Sequence, residues 1–231
     1  MTPGVLYGLG LGPGDPELVT LKALRVLRAV PVVAYPSPET GDSFARGIVA
    51  EFLSPKQREV RIAFPMRPGP LPHAIYDVAA TTIAGELDRG DDVAFLCQGD
   101  PFFYGTFAAV FSRLAPRYRV EVVPGVSSLT ACAAAAGMPL AQRDETVTVI
   151  PATLAEDELA RRLSVADAAA VIKLGRHAGK LRRVLIELGR LDDTVYVERA
   201  TQSRQRVGRF ADIEADSIPY FAMALVRGGK R

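Results

Sequence analysis

The chain has 231 residues, with 28 Lys and Arg against 26 Asp and Glu, and 48% hydrophobic residues. That length suits one large domain or two small ones, with ample apolar material for a core. A net charge of +2 without a Lys/Arg run excludes the electrostatic footprint of a nucleic-acid or membrane-surface binder, and no apolar run approaches the roughly 20 residues of a membrane helix.

In chain order, Val5-Leu6-Tyr7 runs into Gly8-Leu9-Gly10-Leu11-Gly12-Pro13-Gly14-Asp15. This predicts a strand over 5–10, a tight turn and a helix over 18–29, the layout of a nucleotide-type loop. The dinucleotide fingerprint G-x-G-x-x-G fails in both registers. Its third glycine falls on Pro13 when counted from Gly8 and on Asp15 when counted from Gly10. No Lys-Ser/Thr follows, so a phosphate-cradling P-loop fails too. Asp15 near a helix start repels phosphate, which suits a small neutral or cationic cofactor. Asp15 itself reads as a helix cap.

Further strands are predicted at 31–35, 92–96 and 119–123, and helices at 43–53, 73–89 and 106–114. Continuous apolar strands alternating with helices predict an α/β sheet with parallel strands, covered on both faces. Residues 65–72 hold four prolines and form an extended loop, either a surface connection or a semi-rigid lid over 64–72. The loop Gln98-Gly99-Asp100-Pro101-Phe102-Phe103-Tyr104-Gly105 follows strand 92–96, at the strand end where open α/β sheets bind ligands. There Asp100 either meets a ligand or caps the turn before Pro101. Pro124-Gly125-Val126-Ser127-Ser128 opens a helix over 127–136 with a wall of small residues. A boundary near Pro124 divides the chain into domains 1–123 and 124–231. The second is expected to hold strands at 146–150, 169–173, 195–198 and 220–226, with helices at 157–163 and 180–188. Cys97 and Cys132 read as small buried hydrophobes. No Cys/His cluster has zinc spacing, so no metal site is expected. His73 and His177 read as surface or capping residues. The start of the chain lacks a basic stretch followed by an apolar one, which leads to the expectation of a cytoplasmic protein.

Three of these stretches, Gly10-Leu11-Gly12-Pro13-Gly14-Asp15, Gly99-Asp100-Pro101-Phe102-Phe103-Tyr104-Gly105 and Pro124-Gly125-Val126-Ser127, and the glycine turn Lys173-Leu174-Gly175-Arg176 that ends a later strand, occur in the order found in the tetrapyrrole methylase family, which the chain resembles. Val33-Ala34-Tyr35-Pro36, Phe64-Pro65-Met66 and Tyr196-Val197-Glu198-Arg199-Ala200-Thr201 resemble the branch acting at carbon 20 of precorrin-2. The resemblance implies two α/β domains of the tetrapyrrole methylase type, with cofactor and substrate in the trough between them, and a homodimer. It implies S-adenosyl-L-methionine (SAM) as methyl donor, S-adenosyl-L-homocysteine (SAH) as its product, and precorrin-3A as the methylated tetrapyrrole of cobalamin biosynthesis. A cobalt-bearing substrate is an open alternative, and an NAD(P)-binding dehydrogenase is a rival from another reaction class.

Residue by residue, the implied cofactor contacts are Pro13, Gln98, Gly99, Asp100, Phe103, Ser127, Ser128, Leu174 and Ala200. Asp100 would accept from a ribose hydroxyl or the ammonium, Ser127 and Ser128 would meet the carboxylate, and Phe103 and Leu174 would sandwich adenine. Arg67, Arg143 and Arg176 lie beside the motif loops and suit the carboxylates of a tetrapyrrole, with Tyr104 as a further substrate contact. The chain departs from the family's uroporphyrinogen methylases, which carry an Asp after the Tyr of the second strand. Pro36 stands there instead. This leaves the general base open among Glu198, Asp144 and Tyr35.

Overall fold

A computed structural model describes residues 2–65, 72–219 and 221–227. By internal contacts the chain divides into two compact units, Met1–Ser127 and Ser128–Arg231.

The first unit is built on β1 (Leu6–Gly10), β2 (Val32–Pro38), β3 (Arg58–Phe64), β4 (Val93–Cys97) and β5 (Val120–Val123), in the order β3-β2-β4-β1-β5. All pairings are parallel. Helices α1 (Leu21–Ala29) and α2 (Phe44–Ile48) cover one face, where Ala23, Leu27 and Ile48 pack with Leu9, Val33 and Leu96. Helices α3 (His73–Asp88) and α4 (Phe107–Leu114) cover the other, where Ile83 and Phe107 pack with Leu6, Ala34 and Phe95. Burial on both faces is why β4 reads as an unbroken apolar run: every one of its residues is buried. The chain leaves β1 toward β2 and leaves β4 toward β5, in opposite directions across the sheet. The neighbouring strands β1 and β4 therefore form a topological switch point, with a crevice outside their carboxyl ends.

Three elements differ from expectation. β3 was not anticipated: Arg58-Glu59-Val60-Arg61-Ile62-Ala63-Phe64 opens on charged residues and buries only Ile62 and Phe64, as an edge strand does. The helix expected over 18–29 is a 3-10 turn at Pro16–Leu18 followed by α1, because the Thr20 hydroxyl accepts from the Ala23 N–H (3.1 Å) and starts the helix there. The helix expected over 43–53 is the short α2, capped by Ser43, and a 3-10 turn at Ala50–Phe52.

The second unit contains α5 (Ser128–Ala135), β6 (Val147–Pro151), α6 (Glu156–Val165), β7 (Ala168–Ile172), α7 (Ala178–Glu187), β8 (Thr194–Glu198), β9 (Arg206–Arg209) and β10 (Ala222–Val226). The strand order is β6-β7-β10-β8-β9. Only β6–β7 pairs in parallel. β10 is antiparallel to both β7 and β8, and β9 is antiparallel to β8. The physical reason is the connection: the link from β8 to β9 carries no helix and returns the chain antiparallel, and β10 then runs in the same direction as β9 on the other side of β8. β9 escaped the sequence reading because Arg206-Val207-Gly208-Arg209 is short and polar. Ile150, Val171, Leu181, Tyr196 and Phe210 centre the core. Two arginines bind backbone carbonyls around it. The Arg190 guanidinium donates to Leu163, Ala166, Asp167 and Arg227 carbonyls, and that of Arg182 to Phe210, Ala211 and Ile213.

Candidate functional site

Three loops meet at the carboxyl ends of β1, β4 and β5. The Leu11 N–H donates to the Cys97 carbonyl (2.9 Å). Gly12 and Gly99 then exchange both backbone hydrogen bonds, at 2.7 Å from Gly99 N and 3.3 Å from Gly12 N. Gly99 holds φ +70°, open to glycine without strain. The third loop presses directly on the first two. A Cβ on Gly10 would stand 2.3 Å from Gly125 N, and one on Gly125 would stand 2.2 Å from Gly99 O. Backbone meets backbone here, so glycine is the residue that fits.

Asp100 joins these loops. Its Oδ1 accepts from the Phe102 N–H (2.9 Å) and its Oδ2 from the Gly125 N–H (3.1 Å). The turn cap considered from sequence is present, together with a bond across 25 residues of chain. A carboxylate offers about four lone-pair sites, so the half-buried group retains acceptor capacity. Asp15 caps its 3-10 turn by accepting from the Glu17 N–H (2.9 Å). Pro13 is buried, and Gln98, Phe103 and Ser127 are half-buried. The first unit thus gathers Pro13, Gln98, Gly99, Asp100, Phe103 and Ser127 at one edge of its sheet. The loops 10–15, 98–105 and 124–128 contain no Lys or Arg, which fits a cationic donor and disfavours a pyrophosphate.

In the second unit Ser128 is the first residue of α5. β7 and β8 flank β10 and both run antiparallel to it, so their carboxyl ends share one sheet edge. Leu174 follows β7 and Ala200 follows β8, each beside left-handed backbone at Lys173 (φ +59°), Arg199 (φ +47°) and Thr201 (φ +68°). The Leu174 side chain is fully buried in the core.

The groups considered as bases stand as follows. Glu198 is buried, accepting from the Tyr196 hydroxyl and, at 3.4 Å, from Arg199. Burial and the Glu198 partner push the Tyr196 phenol above its ordinary range. Burial, then Glu59, raises the Tyr35 phenol, which makes Tyr35 a poor proton acceptor. Asp144 is exposed. Arg143 and Arg176 are exposed and form no ion pair with the described residues. Arg67, with all of residues 66–71, lies outside the described residues.

One residue went unnoticed in the sequence. Ser37, at the carboxyl end of β2, is 4% exposed, and its hydroxyl has no hydrogen-bond partner among the described residues. β2 pairs with β4 over Val32–Ala34 and no further, and Pro36, lacking an N–H, lies beyond that point. The Pro36-Ser37-Pro38 run was the available signal of a ladder that ends early.

The tetrapyrrole (corrin/porphyrin) methylase family matches residues 5–213. The cobalamin biosynthesis protein CobIJ of Mycobacterium tuberculosis is 45% identical over 237 residues, covering 99% of this chain and 47% of the relative. The chain therefore spans about half the length of that protein. The precorrin-2 C(20)-methyltransferase of Sinorhizobium sp is 40% identical, covering 98% of this chain and 96% of the relative. The cobalt-precorrin-2 C(20)-methyltransferase of Salmonella typhimurium is 32% identical, covering 96% of each. Among solved structures, a cobalt precorrin-4 methyltransferase aligns with a TM-score of 0.75 at 25% identity, covering 96% of this chain and 94% of that one. The uroporphyrin-III C-methyltransferase of Thermus thermophilus complexed with SAH aligns with a TM-score of 0.71 at 26% identity, covering 97% and 92%. With the motif loops joined at the switch point and the match running through both units, the chain belongs to the tetrapyrrole (corrin/porphyrin) methylases.

Proposed function

We propose that the chain transfers a methyl group from SAM to carbon 20 of precorrin-2, giving precorrin-3A in cobalamin biosynthesis. The observation that carries this reading is the end-to-end match to the Sinorhizobium precorrin-2 C(20)-methyltransferase at 40% identity. The side-chain-free meeting of Gly12, Gly99 and Gly125 and the spare acceptor capacity of Asp100 support it. When bound, SAM supplies an electrophilic methyl on a cationic sulfonium. The chain's own contribution is binding and orientation. Asp100 accepts from the donor's hydroxyl or ammonium, Ser127 and Ser128 donate to its carboxylate, Phe103 and Leu174 flank its adenine, and Pro13, Gln98, Gly99 and Ala200 complete the donor site. Arg67, Arg143 and Arg176 answer the substrate's carboxylates. Carbon 20 of the reduced macrocycle is already an enamine-like nucleophile. Catalysis therefore rests on alignment and exclusion of water, and a strong base is not required to start it. The same reading has the enzyme acting in the cytoplasm as a homodimer.

A second reading keeps the carbon and the donor but takes the cobalt-bearing macrocycle, favoured by the Salmonella relative. Incubation with SAM and either precorrin-2 or cobalt-precorrin-2, followed by product mass and absorbance spectrum, separates the two. A single added methyl on the metal-free substrate supports the first reading. Turnover of the cobalt form alone supports the second, and no methylated product from either overturns both. Sedimentation of the purified chain as a monomer would remove the homodimer from the proposal.

A further inference from the structure

Five non-glycine residues among those described adopt positive φ: Tyr104, Arg143, Lys173, Arg199 and Thr201. Tyr104, at φ +56°, is the aromatic one, and a bulky side chain tolerates this region poorly. The surrounding loop holds it there. Asp100 fixes the Phe102 and Gly125 N–H groups. The Phe102 ring stands edge-on to Phe111 at 5.1 Å and packs on Phe107 at 6.0 Å. Gly105 follows at once, and a Cβ there would lie 3.2 Å from the Pro101 carbonyl oxygen. The strained backbone does not serve to bury the ring, since Tyr104 remains 49% exposed. Its ring meets Phe103 edge-to-face, with centroids 5.1 Å apart and planes at 89°. A strained residue that exposes a large aromatic ring beside a binding crevice is a pre-organised contact.

The geometry points to Tyr104 as a preformed ledge for one face of the conjugated part of the tetrapyrrole macrocycle, with the perpendicular Phe103 ring joining that ledge to the donor contacts of the same loop. Tyr104 is then a specificity-determining residue, selecting broad substrates by stacking on their conjugated face. This inference rests on the proposed methyltransferase reading. It predicts that substrate affinity depends on the ring and donor affinity does not.

Two substitutions separate the ring from the backbone. Tyr104→Asn removes the ring but keeps a residue that accepts left-handed backbone. Tyr104→Phe keeps the ring and removes the hydroxyl. The probes are sirohydrochlorin, the stable oxidised form of precorrin-2, titrated by absorbance, and SAH, titrated by calorimetry, with Tm recorded for each protein. We expect Tyr104→Asn to weaken sirohydrochlorin binding about tenfold while SAH affinity stays at the wild-type value and Tm does not fall. Tyr104→Phe should bind both probes like the wild type. If Tyr104→Asn binds sirohydrochlorin as the wild type does, the ledge is overturned. It is equally overturned if Tyr104→Asn loses SAH and sirohydrochlorin together with a lowered Tm, because the ring would then only pack the loop. A wild type that binds sirohydrochlorin through Tyr104 but fails to methylate precorrin-2 or its cobalt form would overturn the methyltransferase reading and leave the ledge standing.

Discussion

Asp100 carries two demands on one carboxylate: it ties Phe102 and Gly125 into a single corner, and the proposed function asks it to meet the donor as well. Removing the side chain leaves two backbone N–H groups unanswered. Asp100→Ala should therefore lower stability by about 1–3 kcal/mol in urea unfolding and weaken SAH binding. Asp100→Asn keeps one acceptor oxygen, so it should retain more of the stability while still weakening SAH. Unchanged SAH affinity in both proteins would assign Asp100 to the corner alone. The acid in the Gly-Asp-Pro turn was legible in the sequence, but the choice between cap and ligand was not, because the second partner lies on another strand's loop. The cysteines were legible as small buried hydrophobes, and both are free and buried. Burial pushes the Cys132 thiol up to about 12, and burial, then Asp100, raises that of Cys97. A raised thiol binds its proton more tightly when folded. Its contribution to stability is whole below the unfolded thiol's value of about 8.5 and falls as pH rises toward about 12. Accordingly, iodoacetamide at neutral pH should label neither thiol of the folded chain and both after unfolding, as read by intact mass. Native labelling of Cys132 would contradict this burial.

Among the elements, glycine positions separate by what surrounds them. Gly125→Ala would set a Cβ 2.2 Å from the Gly99 carbonyl oxygen, where no flexible side chain can yield. The loop must shift, so the substitution should destabilise by about 1–3 kcal/mol and abolish measurable SAH binding. Gly47→Ala, inside α2 with nothing within 4 Å of the added carbon, should stabilise by about 0.5–1 kcal/mol. Thermal unfolding of the two variants checks both directions. The same contrast explains which elements could be read in advance. β4 is buried on two faces and announces itself by an unbroken apolar run. β3 and β9 are edge strands whose charged or polar residues carry no such signal, and their place depends on the strand beside them. The starts of α1 and α2 were written in Thr20 and Ser43, whose side chains cap them, so those boundaries were available to a closer reading of capping residues.

For the molecule as a whole, a ligand that binds the folded chain alone must raise its unfolding temperature. SAH at about 100 times its Kd should stabilise by about 2.7 kcal/mol, which for a chain of this size is a Tm shift of roughly 5–10 °C. NADH and NADPH should give no shift. A shift with NADH exceeding that with SAH would sink the cofactor assignment. The failed glycine fingerprint, the absence of Lys and Arg from the three loops, and the parallel α/β character of the first unit all followed from residues close together in the chain. Local chemistry and hydrophobic period are written at that range. The insertion of β10 between β7 and β8, the burial of the Leu174 side chain, the bond from Asp100 to Gly125 and the left-handed backbone of Tyr104 were decided by folding. Each depends on contacts between distant segments, whose energies no local pattern records.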